Sequence, residues 1–297
     1  MSREPVTLDL ARRLVAAQFP QWSDLPVTAV ELPGWDNTTF RLSEDMSVRL
    51  PGSDSYALQV DKEHRWLPFL GERLPVPIPV PLARGEPAAD FCHPWSVYRW
   101  LPGRPAAVAD VGDLRRLASD LAAFLRALYS IEPDGGPPPG EYNFERGAHV
   151  SVYDAEARRA IDELGDQIDG RLALETWEAA LSSQWSGPPV WVHGDVAASN
   201  LLIQNGRLAA VIDFGCCAVG DPACDLVIAW TFFDPASRVM FRRSIGLDDA
   251  TWARARGWAL WKAAILLTNE EPYLPAREVL DAVLAEHQST ADQGVGR

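Results

Sequence analysis

The chain has 297 residues, 47% hydrophobic and 23% charged, the balance of a folded protein with one large domain or two lobes around a cleft. Its formal net charge of −14 argues against nucleic acid as a partner, because a phosphate backbone is bound by a basic surface. No apolar run reaches the length of a membrane span, no signal peptide opens the chain, and Cys92, Cys216, Cys217 and Cys224 form neither a metal-ligand spacing nor a disulfide framework. A cytoplasmic protein with no membrane partner is expected.

Thr7 stands before an amphipathic stretch and reads as the N-cap of a short helix. Alternating segments at 27–32, 39–42 and 46–50 are separated by turn formers, which predicts consecutive antiparallel hairpins. Helical spacing returns over 56–70, where Pro68 is expected to close the helix early. The proline-rich run 74–82 lacks too many donors to be a central strand. A β-rich segment at 95–101 ends at Pro102-Gly103.

Beyond it the pattern becomes helical. Leu114, Leu117, Leu121, Phe124, Leu125 and Leu128 share one face of a helix predicted over 111–131. Further helices are expected near 151–168, 173–186, 222–234, 235–245, 249–268 and 275–287, interrupted by short strands at 190–193, 200–204 and 207–213. The predicted class is α+β, with a β-rich lobe over 1–101 that ends in a hinge strand and a mainly helical lobe over 102–297. Such asymmetry suits a ligand cleft between lobes.

The chemistry is carried by His193-Gly-Asp195-Val-Ala-Ala-Ser-Asn200 and Ile212-Asp213-Phe-Gly215. Together they set Asp195, Asn200 and Asp213 at the ends of adjacent short strands. Phosphoryl transfer needs a carboxylate to orient or deprotonate the attacking hydroxyl, and oxygen ligands to hold Mg²⁺ against the phosphates. Asp195 suits the first task; Asn200 and Asp213 suit the second. The spacing His-x-Asp-x₄-Asn followed by Asp-Phe-Gly is a kinase signature. Taken singly, the three would read as turn formers and a strand-end cap; the ordered combination is the signal. His193 reads as a packed, hydrogen-bonded residue rather than a base.

On these residues, and on Gly220-Asp221-Pro-Ala-Cys-Asp225-Leu after them, the chain resembles the aminoglycoside phosphotransferase family, small-molecule relatives of the protein kinases. The resemblance runs from Pro33 to about residue 268. It implies a protein-kinase-like two-lobe fold, ATP or GTP as phosphoryl donor, Mg²⁺, and a small-molecule hydroxyl acceptor such as an aminoglycoside or related antibiotic. Gly194 replaces the Arg of His-Arg-Asp and no Ala-Pro-Glu follows, which moves the acceptor from protein to small molecule. The resemblance also implies a nucleotide-covering hairpin with Gly34 and Asn37, adenine contacts around Arg99, Trp100 and Leu101, and Asp225 bracing the catalytic loop.

The phosphate-binding Lys usual in such folds is absent; the chain has two lysines, Lys62 and Lys262. Arg49 occupies the matching strand and would grip the phosphates, held in place by Glu63. The loop interior, Ala197-Ala198-Ser199, adds no polar contact. Trp230, Phe232, Phe233, Trp252, Trp258 and Trp261 read as core at helical spacing. Asp234, Glu270 and Glu271 read as solvated surface, while the overall acidity tilts the expectation towards a cationic acceptor.

Two alternatives stay open on sequence. Arg49 in place of Lys is compatible with a kinase-fold protein that binds nucleotide without transferring phosphate. A metabolite kinase of the choline or homoserine type, unrelated to resistance, would show the same motifs. No Gly-x-Ser-x-Gly and no His-Glu-x-x-His supports a hydrolase or zinc enzyme.

Overall fold

A computed structural model describes residues 6–31 and 37–295. Helix α1 (Leu8–Gln18) starts where Thr7 Oγ1 accepts the N–H of Leu10 at 3.2 Å, satisfying a donor that every helix start leaves open. Strands β1 (Val27–Ala29), β2 (Asn37–Leu42), β3 (Met46–Pro51), β4 (Pro81–Gly85) and β5 (Trp95–Arg99) form one antiparallel sheet in the order β1-β2-β3-β5-β4. The proline-bearing β4 therefore lies at an edge, where a missing ladder donor is tolerated.

Helix α2 (Asp54–Gly71) follows β3 and continues through Pro68 rather than stopping there. Leu67 and Leu70 beside the proline are fully buried, so packing of the last turn outweighs the lost backbone bond. Leu10, Leu14 and Val15 of α1 pack with Phe40, Leu42, Val48, Leu50, Trp95 and Val97 of the sheet in a first hydrophobic cluster.

The larger cluster belongs to the helices α3 (Leu114–Tyr129), α4 (Asp154–Leu164), α5 (Gly170–Leu181), α6 (Ile228–Thr231), α7 (Pro235–Ile245), α8 (Asp249–Leu267) and α9 (Pro275–Val295). It extends under the sheet to include Leu67, Leu70, Ile78 and Tyr98. Helix α8 is buried almost all round, which marks it as the central helix of this lobe. Its fully buried Arg254 is neutralised by Asp221 through contacts of 2.6 and 3.2 Å.

Short strands thread between the helices. β6 (Arg104–Pro105), β8 (Leu201–Gln204) and β9 (Arg207–Val211) make one sheet, and β7 (Val190–Val192) pairs with β10 (Ala218–Gly220). Two predicted helices open as 3₁₀ turns, Val150–Tyr153 before α4 and Pro222–Val227 before α6. Among the described residues, no helix is long and apolar enough to cross a membrane.

Candidate active site

Strands β8 and β9 are joined by Asn205-Gly206, both at positive φ (53° and 71°), as a tight two-residue hairpin requires. Leu201 pairs with Val211, so Asn200 and Ile212 meet at the open end, where the N–H of Ile212 donates to the Asn200 carbonyl at 2.9 Å. Asp213 follows at φ +69°, a left-handed conformation that costs a non-glycine residue about 1–3 kcal/mol and persists because its surroundings hold it. On the other side, Val192 pairs with Ala218, and the chain leaving β7 brings His193, Gly194 and Asp195 to the same end.

His193 is fully buried and structural. Its Nε2 donates to the Ile212 carbonyl at 3.0 Å and its Nδ1 accepts the N–H of Asp195 at 3.2 Å, an arrangement that fixes the neutral tautomer. Buried Asp225 accepts the N–H groups of His193 (3.0 Å) and Gly194 (2.7 Å) and the hydroxyl of Tyr129 (3.4 Å). Burial pushes the Asp225 pKa up, while these hydrogen-bond donors oppose the rise. Gly194 has φ +82°, and a Cβ there would lie 2.4 Å from the Cys216 carbonyl oxygen. Glycine is thus required where protein kinases carry arginine.

Asn200 Nδ2 donates to Asp195 twice, to its carbonyl at 2.9 Å and to Oδ2 at 3.1 Å. The amide oxygen of Asn200 receives only a long contact, 3.4 Å from Ser199 Oγ. Across the cleft, Arg49 on β3 lies 3.6 Å from Glu63 on α2 and 3.2 Å from Asp213. Burial works against the Arg49 charge, but Glu63, Asp213 and Tyr98 more than offset it and raise its pKa. Tyr98 donates its hydroxyl to Glu63. Burial, and then the Glu63 charge, pushes that phenol well above its ordinary range.

The structure therefore brings Asp195, Asn200, Asp213, Arg49 and Glu63 together. The hinge is less uniform. The N–H of Arg99 donates to Val80 and that of Trp100 to Asp45, at 2.9 and 2.7 Å, and the Arg41 guanidinium covers the Trp100 ring at 3.9 Å. Among the described residues, the N–H of Leu101 has no hydrogen-bond partner. Asn37 is buried at the start of β2, opposite Pro51; Gly34 lies outside the described residues.

Three cations escaped the sequence reading. Buried Lys62 of α2 donates to the carbonyls of Gly215 and Cys217, at 2.5 and 3.1 Å. Lys262 of α8 places Nζ 3.6 Å from Asp195 Oδ1. The Arg146 guanidinium lies over the rings of Trp258 and Trp261, at 5.0 and 5.4 Å. The scarcity of lysine was a usable signal: both lysines of the chain reach this centre. Beside Asp195 opens a cavity of about 700 Å³ whose wall includes Arg146, Trp230, Phe232, Trp258, Trp261 and Lys262. Trp230, Trp258 and Trp261 thus serve both as buried core and as cavity wall, whereas Trp252 is core alone.

Among the described residues, no group of three or more His, Cys, Asp or Glu side chains is placed to hold a metal. The Asp213 carboxylate and the Asn200 amide oxygen form a sparse set of hard oxygen donors. Mg²⁺ fits such a set, because it takes one or two protein oxygens and fills its octahedron with phosphate and water.

A five-stranded antiparallel sheet set on a helical lobe, with Arg49–Glu63 above and Asp195–Asn200–Asp213 below, defines a protein-kinase-like phosphotransferase. The profile of the phosphotransferase enzyme family matches residues 28–258, and the chain belongs to that family. It is similar to an aminoglycoside 3'-phosphotransferase of Escherichia coli, 27% identical over 67% of this chain and 73% of the relative. Among solved structures, the GDP complex of wild-type aminoglycoside 2'-phosphotransferase-IIIa superposes with a TM-score of 0.74 at 21% identity, covering 95% of this chain and 99% of the other. The macrolide 2'-phosphotransferase of Brachybacterium faecium gives a TM-score of 0.63 at 22% identity over 95% and 97%.

Proposed function

We propose that this chain transfers the γ-phosphoryl group of ATP or GTP to a hydroxyl of a small molecule, with Asp195 as the acceptor-side carboxylate. The observation that carries the reading is the pair of hydrogen bonds that Asn200 Nδ2 donates to Asp195. It fixes Oδ2 and leaves Oδ1 facing the cavity, where it orients the attacking hydroxyl and takes its proton. The hydroxyl oxygen forms a new P–O bond as the bond to the nucleoside diphosphate breaks, in line with the attack.

Asp213 and Asn200 would hold Mg²⁺, which when bound neutralises charge on the transferring phosphates. Arg49, steadied by Glu63, grips the donor phosphates bidentately. Leu101, with Arg99 and Trp100 beside it, forms the adenine edge, and Asn37 with Gly34 belongs to the hairpin that covers the phosphates. In this reading residues 1–101 are the nucleotide lobe and 102–297 the catalytic and acceptor lobe. The names of the relatives, aminoglycoside and macrolide phosphotransferases, support an antibiotic-type acceptor and a role in resistance.

The Arg49–Asp213 ion pair favours a second reading, a binder whose metal-ligating carboxylate is held by its own arginine. Thermal-shift titration with Mg-ATP and Mg-GTP, followed by mass spectrometry of an antibiotic and metabolite panel, separates the two. Phosphorylated product from any hydroxyl acceptor supports transfer. Nucleotide binding with no product from the whole panel supports the binder, and no Mg-nucleotide binding at all defeats both.

A further inference from the structure

Resting on that reading, we propose that the acceptor pocket is built against cations, with Lys262 and Arg146 as its specificity-determining residues. The favoured acceptor is a hydroxyl compound with no ammonium beside the reacting oxygen. The chain as a whole carries a net charge of −14, yet beside Asp195 this cavity places two cations, Lys262 and Arg146, in its wall.

Lys262 Nζ stands 3.6 Å from Asp195 Oδ1, the oxygen that faces the attacking hydroxyl. Nζ already partners this carboxylate, so an ammonium drawn towards Asp195 finds its charge partly neutralised and is repelled wherever it approaches on the lysine side. The indole faces of Trp258 and Trp261 are the other natural seat for a ligand cation. Arg146 already covers both rings. Among the described residues, no ion pair within 4.0 Å holds the Arg146 guanidinium, and Glu156 is engaged by the Trp261 indole N–H at 2.8 Å.

A third wall cation, Arg238, is tied to Glu286 at 3.5 Å and to the Ala229 carbonyl at 2.8 Å. The remaining acids of the wall, Asp234 and Glu278, are exposed. Asp234 is also engaged as the cap of α7, accepting the N–H of Ser237 at 2.7 Å. They sit too far into solvent to reverse the charge of the interior. Discrimination here comes from a built-in repulsion, the usual way in which a site rejects a near relative of its ligand. Within antibiotic-type acceptors this points away from polyamine sugars and towards uncharged or acidic hydroxyl compounds with an apolar body for the tryptophan wall.

The test is a calorimetric titration of kanamycin, a polyamine sugar, into the full chain and into Lys262→Met and Lys262→Glu. Lys262 is 40% exposed, so both substitutions are compatible with folding, and their melting temperatures check this. Kanamycin is expected to bind weakly to the parent chain and at least about tenfold more tightly to Lys262→Glu, with Lys262→Met between them; if Lys262→Glu does not fold, tighter binding by Lys262→Met alone carries the result. Arg146→Gln, which uncovers the indole faces, is expected to act in the same direction. Equal or weaker binding by the variants overturns the proposal, as does undetectable binding in every protein, because Lys262 and Arg146 would then not be what excludes the cation. A Mg-nucleotide thermal shift on the same samples reports on the phosphotransferase reading separately.

Discussion

The guanidinium of Arg49 lies 3.2 Å from the carboxylate of Asp213, and so ties the third strand of the sheet to the loop that follows the β8–β9 hairpin. The same guanidinium is 3.6 Å from Glu63, so one cation is shared by two acids across the cleft. Nucleotide phosphates and a metal ion would divide this arrangement, the phosphates taking Arg49 and the metal taking Asp213.

In the proposed reading, removing that cation would remove the phosphate grip. Arg49→Ala is expected to weaken Mg-nucleotide binding about 10- to 100-fold, the equivalent of one or two charge-assisted hydrogen bonds. Arg49→Lys restores the charge without the fork and falls between the two. Calorimetric titration with Mg-ATP and Mg-GTP measures this; unchanged affinity in Arg49→Ala would remove Arg49 from the nucleotide site.

Gly194 is fixed by backbone geometry. With φ at +82° and the Cys216 carbonyl 2.4 Å from any added Cβ, Gly194→Ala must displace either the catalytic loop or the segment after Phe214. The expected loss is about 2–4 kcal/mol of stability, together with a fall in transfer rate as Asp195 moves. Urea unfolding and steady-state kinetics check both; a fully stable, fully active Gly194→Ala would show that the loop is not held as described.

Lys62 acts as a positioning residue. It reaches from α2 to the carbonyls of Gly215 and Cys217, just beyond Asp213. Lys62→Met leaves those buried acceptors without their donor and is expected to cost about 1–3 kcal/mol. It should lower kcat more than it raises KM for nucleotide, because the Asp213 loop loses its register while Arg49 remains. Equal kcat in variant and parent would reduce Lys62 to a stabilising contact.

The buried thiols give a pH prediction. Burial, followed by the charge of Asp195, pushes Cys216 up from an ordinary 9.0 to about 12. Burial pushes Cys217 up to about 11 and Cys224 well above its ordinary value. The folded state keeps these protons after the unfolded chain has begun to release them. Their contribution to stability is therefore complete below pH about 9 and is lost as pH rises through about 11–12. Tyr98 and Tyr129, also raised mainly by burial, act in the same direction at higher pH. Urea midpoints should fall from pH about 8 to about 10.5, and fall less steeply in Cys217→Ala. A flat profile in the parent chain would contradict the burial of these groups.

Much of this was legible in the sequence, for identifiable reasons. Asp195, Asn200 and Asp213 are close in the chain and separated by one Asn-Gly hairpin, so local turn chemistry was enough to bring them together. Thr7, the β2–β3 hairpin and the apolar face of α3 likewise obey local rules. Strands β6 and β10 were missed because each is only two or three residues long and exists through pairing with β8 and β7. Pro68 misled because the burial of Leu67 and Leu70 is a tertiary effect.

The contacts of Lys62, Lys262 and Arg146 were invisible for the same reason. The contacts that make them part of the site cross 153, 67 and more than 100 residues of chain, respectively. Net charge says nothing of how charge is distributed: the cavity beside Asp195 has Arg146, Arg238 and Lys262 in its wall together with Asp195, Asp234 and Glu278. At the hinge, sequence could only mark the segment 99–101; the hydrogen bonds of Arg99 and Trp100 to Val80 and Asp45 show which backbone donors are already taken.

The most direct test of the account is Asp195→Ala, assayed for phosphorylated product and, in parallel, for Mg-nucleotide affinity. The account predicts a loss of transfer of about 10²- to 10⁴-fold, as expected for removal of a positioned base, with nucleotide affinity close to that of the parent chain. Transfer that survives undiminished would contradict the assignment of Asp195 and with it the chemistry proposed for this cleft.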